Sequence, residues 1–512
     1  MTTSVRASDT LTRDALAVLQ PGFTGTSAPS WLLRQLDEGL TSVGLFGRNI
    51  DSPEQLALLT EQLRDVRPEL LVAIDEEGGD VTRLEARTGS SYPGNLALGR
   101  IDDPDLTRAV AHELGSRLAA AGVNLNWAPS ADVNSNPDNP VIGVRSFGGD
   151  PKLVARHTVA YVEGLQAAGV AACVKHFPGH GDTAVDSHHA MPRIDADLDT
   201  LRARELVPFA AAVDAGSKCV MSAHILLPAL DAAHPGTLSP AALTGLLRAP
   251  RSEGGLGHQG LIVTDGMEMR AVSATYGLER GSVLALAAGA DAICVGGGLS
   301  GEDTVLRLRD ALVRAVHEGE LPEERLADAA ARVRGLAAWA RGVRRSDTGG
   351  LADPALRAGP AAAGGIGLEA ARRALLVTGL ENYRRPAGPM FVAALTTVAN
   401  IAVGDETPWG PAAELERMIP GTRTGTYQSA DGDVGAAVLR DAGERPVVVV
   451  VRDLHRHPWM ADAVARLVAE RADTVVVEMG LPQSPPQGGL HIATHGAARV
   501  CGRAAAEVIA RG

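Results

Sequence analysis

Between Lys175 and Pro192 the chain reads KHFPGHGDTAVDSHHAMP, which gathers a lysine, two aspartates and four histidines in one short stretch. Three kinds of role suit these residue types. His176, His180, Asp182, Asp186, His188 and His189 all carry atoms that zinc accepts. Against a metal, no His-x3-His pair falls on a predicted helix, no CxxC partner is present, and Lys175 would add a positive charge beside the ion. A purely structural loop of satisfied histidines is the second role. In the third, Lys175 and His176 donate hydrogen bonds to a neutral polyol while the loop carries a proton-transfer pair. Asp186 and His188 suit that pair. A carboxylate two residues from an imidazole can orient the ring, fix its tautomer and stabilise the imidazolium, leaving the other nitrogen to exchange protons near neutral pH. Gly179 and Gly181 supply hinges for such a loop.

Three further segments carry reactive groups. Asp265, in LIVTDGMEM, ends an apolar run and reads either as the N-cap of a helix over Met267 to Ala274 or as a nucleophilic carboxylate. In DEEGGDVTR, Asp75 and Arg83 match an acceptor and donor pair for sugar hydroxyls, whereas Glu76 and Glu77 beside Gly-Gly suit a cation. Arg145, in NPVIGVRSFG, lies in a Pro/Gly-rich loop where most arginines are simply solvated.

The elements that must position these groups alternate short β-branched runs with Ala/Leu/Arg segments of helical period. Predicted strands cover 42–49, 70–79, 123–133, 170–177, 218–225, 260–267 and 290–297. Their C-terminal ends carry the polar residues: Arg48 and Asn49, Asp75, Asp132, Lys175 and His176, His224, Asp265. A (β/α)8 barrel gathers its active site at those ends. The predicted fold is therefore α/β, a TIM-type barrel over residues 1–345, a Gly/Ala/Pro-rich linker over 346–370, and a smaller doubly wound α/β domain over 371–512.

Composition narrows the function. The chain has 512 residues, enough for two domains, with 45% hydrophobic but only 3% aromatic residues. A net charge of −13 repels phosphate backbones and acidic membrane surfaces, so neither nucleic acid nor membrane is an expected partner. Cys173, Cys219, Cys294 and Cys501 are scattered and read as reduced core residues. The N-terminus lacks a signal-like pattern, and cytoplasmic residence is the default expectation. Arginine supplies almost all the positive charge; lysine occurs only at 152, 175 and 218.

Together these segments resemble the β-N-acetylglucosaminidase branch of glycoside hydrolase family 3, in its two-domain form. The most specific match is K-H-F-P-G-H-G-x4-D-S-H from Lys175 to His188. AIDEEGGDVTRL, NWAPSADVNSNPDNPVIGVRSFG, ELVPF, MSAHI, TLSP and GLIVTDGMEMRA are similar as well, so the resemblance covers roughly residues 12–340. It implies a retaining exo-enzyme that removes terminal β-linked GlcNAc without metal or cofactor. Asp265 would be the nucleophile, His188 the acid/base and Asp186 its partner, while Asp75, Arg83, Arg145, Lys175 and His176 would bind the sugar. The implied partner is a GlcNAc-containing oligosaccharide or glycoside: a muropeptide, a chitin oligosaccharide or an amino-sugar metabolite. The chain departs from single-domain members at Gly266, where those carry a second acid. A neutral imidazole base would not repel phosphate, so a β-N-acetylglucosaminide phosphorylase is the alternative within the class. A metal-dependent barrel hydrolase is the alternative outside it.

Overall fold

The computed structural model describes residues 2–187, 190–298, 301–347, 365–397 and 407–511. The chain divides into two compact units, the first made of residues 1–76, 107–140 and 149–359 and the second of residues 77–106, 141–148 and 360–512.

The first unit is a parallel (β/α)8 barrel. Its strands are β1 (Leu19–Pro21), β2 (Ser42–Leu45), β3 (Leu71–Ile74), β4 (Leu125–Asn126), β5 (Ala171–Phe177), β6 (Cys219–Ser222), β7 (Leu261–Thr264) and β8 (Ile293–Val295). Strands β2 to β7 pair in sequence order, β8 pairs with β1, and a bridge from Val263 to Ala292 joins the two sheets. The ring closes where the Gln20 side-chain amide donates to Ser42 Oγ between β1 and β2. All eight strands are buried along their length, as parallel strands covered on both faces must be.

The barrel interior packs Ala73, Ala171, Cys173, Cys219, Met221, Val263, Ala292 and Cys294 around Trp127. Leu71, Leu125 and Leu261 complete the strand side of this cluster, in which Ala and Cys offset the bulk of one indole. A Cβ on Gly44 would come within 2.8 Å of that ring, so β2 needs glycine there. Val333, Leu336, Ala337 and Ala340 of the helix Glu323–Asp347 join the same cluster. Lys218, just before β6, stands over Trp339 of that helix, which places it at the N-terminal ends of the strands. The opposite end is left to the polar residues. All four cysteines are free and buried.

The second unit is a doubly wound sheet of β9 (Leu376–Thr378), β10 (Phe391–Leu395), β11 (Arg423–Tyr427), β12 (Val447–Val451), β13 (Val475–Glu478) and β14 (Leu490–Ala493). The order is β11-β10-β12-β13-β14-β9, parallel except for β9 at one edge. The five valines of β12 are buried on both faces. One face packs on the helices Ile366–Ala374, Ala412–Met418 and Arg499–Arg511, the other on Val434–Ala442 and Pro458–Glu470. Residues 77–106 and 141–148 belong to this unit and include the helix Asn95–Ile101. Of the segment predicted to link the units, residues 348–364 lie outside the described residues. Among the described residues no helix is long and apolar enough to cross a membrane.

Candidate active site

In the first unit, four reactive groups lie at or just beyond the C-terminal ends of three strands. Asp75 follows β3, Lys175 and His176 lie near the end of β5, and Asp265 follows β7. Lys175 is almost fully buried and its Nζ donates to Asp75 Oδ1 at 2.6 Å. Asp132, just past β4, organises what comes next. Its Oδ2 accepts from His176 Nδ1 at 2.7 Å and from Ser130 Oγ at 2.9 Å. Its Oδ1 accepts the backbone N–H groups of His176 at 3.3 Å and His180 at 2.6 Å. Burial would push this carboxylate up, but the His176 ring, their hydrogen bond and His180 outweigh it and hold it down to about 2. An ionised Asp132 keeps a proton on His176 Nδ1 and so fixes the ring and its tautomer.

The loop after β5 is fastened at several points. Thr183 Oγ donates to the His180 carbonyl at 3.0 Å and therefore accepts from His180 Nδ1, 2.7 Å away. His180 Nε2 then faces the Ser187 hydroxyl at 3.4 Å. Burial, with the His176 ring beside it, pushes the His180 imidazole down to about 4. Asp182 pairs with Arg204 Nη2 at 2.6 Å, and Arg204 also pairs with the buried Glu205. The Ser187 carbonyl accepts the Ala271 N–H at 3.2 Å, tying the loop to the segment that follows Asp265. Asp186 is half-buried in this loop. His188, with His189, lies outside the described residues.

The structure removes the N-cap reading of Asp265. The helix after it is Arg270–Tyr276, with Met269 at its N-cap position. Asp265 instead accepts from the neighbouring Gly266 N–H at 2.8 Å, while His224 bonds the Gly266 carbonyl at 3.0 Å and Thr237 Oγ at 2.9 Å. Glu268 turns the other way, accepting the N–H groups of Gly296 and Gly297 beyond β8.

The second unit holds the other two candidates. Arg145 is buried, and Glu77 grips it bidentately, Oε1 to Nη2 at 2.7 Å and Oε2 to Nε at 3.0 Å. Asn95 Nδ2 donates to the Arg145 carbonyl at 2.7 Å. Glu77 is thus occupied by an arginine rather than left for a cation, and Arg83 follows the same turn, half-buried. Gly79 has φ +62°, and a Cβ there would fall 2.4 Å from Gly94 Cα, which is why the turn requires glycine. Among the described residues no three His, Cys, Asp or Glu side chains are grouped to hold a metal ion.

The sequence reading placed Asp132 and His224 on strand ends but gave them no role, and it passed over Glu77 as a holder of Arg145. The polar strand-end pattern was the available signal for the first two. Nothing local marks the third.

A model of the glycosyl hydrolase family 3 N-terminal domain matches residues 29–336. Beta-hexosaminidase A of Pseudoalteromonas piscicida is 35% identical over 314 residues, covering 56% of this chain and 52% of that protein. The chain thus spans about half the length of that relative. The solved structure of a glycoside hydrolase family 3 beta-N-acetylglucosaminidase from Paenibacillus sp. str. FPU-7 superposes with a TM-score of 0.82 at 32% identity, covering 98% of this chain and 96% of the other. NagZ from Neisseria gonorrhoeae, solved in complex with N-trifluoroacetyl-D-glucosamine, is similar over 62% of this chain and 97% of its own, at 30% identity and a TM-score of 0.52.

Proposed function

The chain belongs to glycosyl hydrolase family 3, and on that premise we propose that it is a retaining exo-β-N-acetylglucosaminidase acting on terminal β-linked GlcNAc. The observation that carries the reading is the set of Asp75, Lys175, His176 and Asp265 at the C-terminal strand ends of a barrel whose relatives are named beta-hexosaminidases. The N-trifluoroacetyl-D-glucosamine bound by the Neisseria protein supports the same sugar.

Asp265 attacks the anomeric carbon and forms a glycosyl ester as the leaving oxygen takes a proton from His188, which Asp186 orients. His188, now neutral, removes a proton from water, and the water displaces Asp265 from the opposite face. Two inversions retain the β-configuration. Asp75, Lys175 and His176, with Arg83 and Arg145, hold the sugar hydroxyls and N-acetyl group. Most retaining glycosidases use a second carboxylate where this scheme uses an imidazole.

The test is product analysis by proton NMR with aryl and alkyl β-N-acetylglucosaminides, first in water and then in phosphate. The β-anomer of GlcNAc should appear first, and Asp265→Ala should lose at least about a thousandfold in kcat. An initial α-anomer, or an Asp265→Ala variant of parental rate, overturns the scheme. GlcNAc 1-phosphate as the main product in phosphate would convert the assignment to a phosphorylase.

A further inference from the structure

The sheet formed by residues 376–493 has no candidate catalytic group of its own in the scheme above, yet the turn that presents Arg83 is fastened to it. Asp80 lies midway between Glu77 and Arg83, and its side chain is only 2% exposed. Its Oδ2 accepts from Arg452 Nη2, just beyond β12, and its Oδ1 accepts the Ala497 N–H at 2.7 Å, just before the last helix. Arg452 is itself backed by the Trp409 ring, 5.5 Å from its guanidinium. Further along, Arg499 Nη2 donates to Ser91 Oγ at 2.6 Å, and the Val500 N–H donates to the Ser90 carbonyl at 3.4 Å.

The turn between these points is short and stiff. The Glu77 N–H donates to the Val81 carbonyl at 3.0 Å and the Val81 N–H to the Gly78 carbonyl at 3.3 Å. A displacement of Asp80 therefore cannot be absorbed before Glu77, whose carboxylate fixes the plane of Arg145 through two parallel bonds. Both arginines proposed for the sugar, Arg83 and Arg145, thus depend on one carboxylate that is anchored by the C-terminal sheet.

We infer that the C-terminal sheet serves sugar binding by anchoring the 77–83 turn, with Asp80 and Arg452 as positioning residues for Arg83 and Arg145. The inference rests on the proposed assignment of those two arginines to the sugar. A displaced fork weakens binding in ground and transition states alike, so the effect belongs in KM more than in kcat.

Asp80→Asn and Arg452→Gln, made in the full chain, should raise KM for an aryl β-N-acetylglucosaminide at least tenfold while kcat changes less than threefold. Amide hydrogen exchange over residues 77–83 and 141–148 should quicken at least tenfold, with β5 unchanged. Arg452→Lys, which keeps a cation within reach of Asp80, should recover most of the loss. Arg417→Ala, an exposed arginine elsewhere in the unit, should match the parent. If both variants fold and keep parental KM, or if exchange in the turn does not change, the inference is overturned. The exchange readout needs no substrate, so a parent that fails to cleave the glycoside would defeat the proposed function while leaving the tie itself measurable.

Discussion

Asp132 shows how one buried carboxylate can fix the groups around it. Four donors converge on it, two on each oxygen, from Ser130, His176 and His180. Asparagine is the same size but offers only one acceptor oxygen, so its amide N–H groups would face two of those donors. Leaving two buried donors unmatched costs about 1–3 kcal/mol each. Asp132→Asn should therefore lower the unfolding free energy of the first unit by about 2–5 kcal/mol at pH 7, and the released His176 ring should raise KM. Denaturant unfolding measures the first and initial rates the second; a loss below about 0.5 kcal/mol would show that the network relaxes around the amide. Reactive residues such as Lys175, His176 and Asp265 were legible in the sequence because each ends an apolar run. The partnerships were not. Asp132 and His176 lie on either side of a long helix, and Glu77 and Arg145 are separated by two helices and β4, so no local pattern records that they meet.

At the scale of elements, the apolar runs of the sequence identify seven barrel strands and, at 374–379, 390–397, 445–453 and 474–480, four of the six strands of the second sheet. They miss β1, whose three residues Leu-Gln-Pro contain no β-branched run, β11, the partly exposed edge strand Arg-Thr-Gly-Thr-Tyr, and β14, where a histidine interrupts the short run Leu-His-Ile-Ala. All three are held by neighbours as much as by their own composition. The turns of the second sheet also rely on a feature that periodicity does not carry. Glu478 ends β13 with its side chain buried, Oε1 accepting from Asp453 N at 2.9 Å and Gly480 N at 2.7 Å, Oε2 from Leu454 N at 3.0 Å. It thereby joins the ends of β12 and β13. Burial pushes this carboxyl up to about 7 even though those three N–H groups favour its charged form. Glutamine would turn an NH2 group toward at least one of the donors. Glu478→Gln should cost about 1–3 kcal/mol in the second unit, read as a lowered melting transition at pH 7; an unchanged transition would mean that the turn does not need the carboxylate.

For the whole molecule, these buried groups set the response to acid. His180, His258 and His495 are each pushed down to about 4, in every case chiefly by burial. A histidine held neutral in the fold takes up its proton more readily once unfolded. Its contribution is complete above about pH 6.5 and disappears as pH falls through 4. Each shift is worth about 3 kcal/mol. Glu478 has the opposite sign, because its raised value means that the folded chain holds the proton better. Its contribution is complete below about pH 4.5 and disappears as pH rises through 7. Of the smaller shifts that act between pH 7 and pH 4.5, Glu205 acts in the sense of Glu478 in the first unit, and His457 and His491 act with the other histidines in the second, whereas lowered carboxylates such as Asp132, Asp231, Asp103 and Glu507 act below that window. His180 and His258 belong to the first unit, whereas His495 and Glu478 share the second and largely offset each other. Calorimetry of the full chain at pH 7 and pH 4.5 should therefore show the first unit's transition falling by more than the second's, by about 5–10 °C for several kcal/mol in a domain of this size. Glu478→Gln removes the offset, so in that variant the second transition should fall with acid as well. Transitions that drop together in the parent, or a second transition in the variant that stays level from pH 7 to pH 4.5, would show that these buried groups do not govern the acid response.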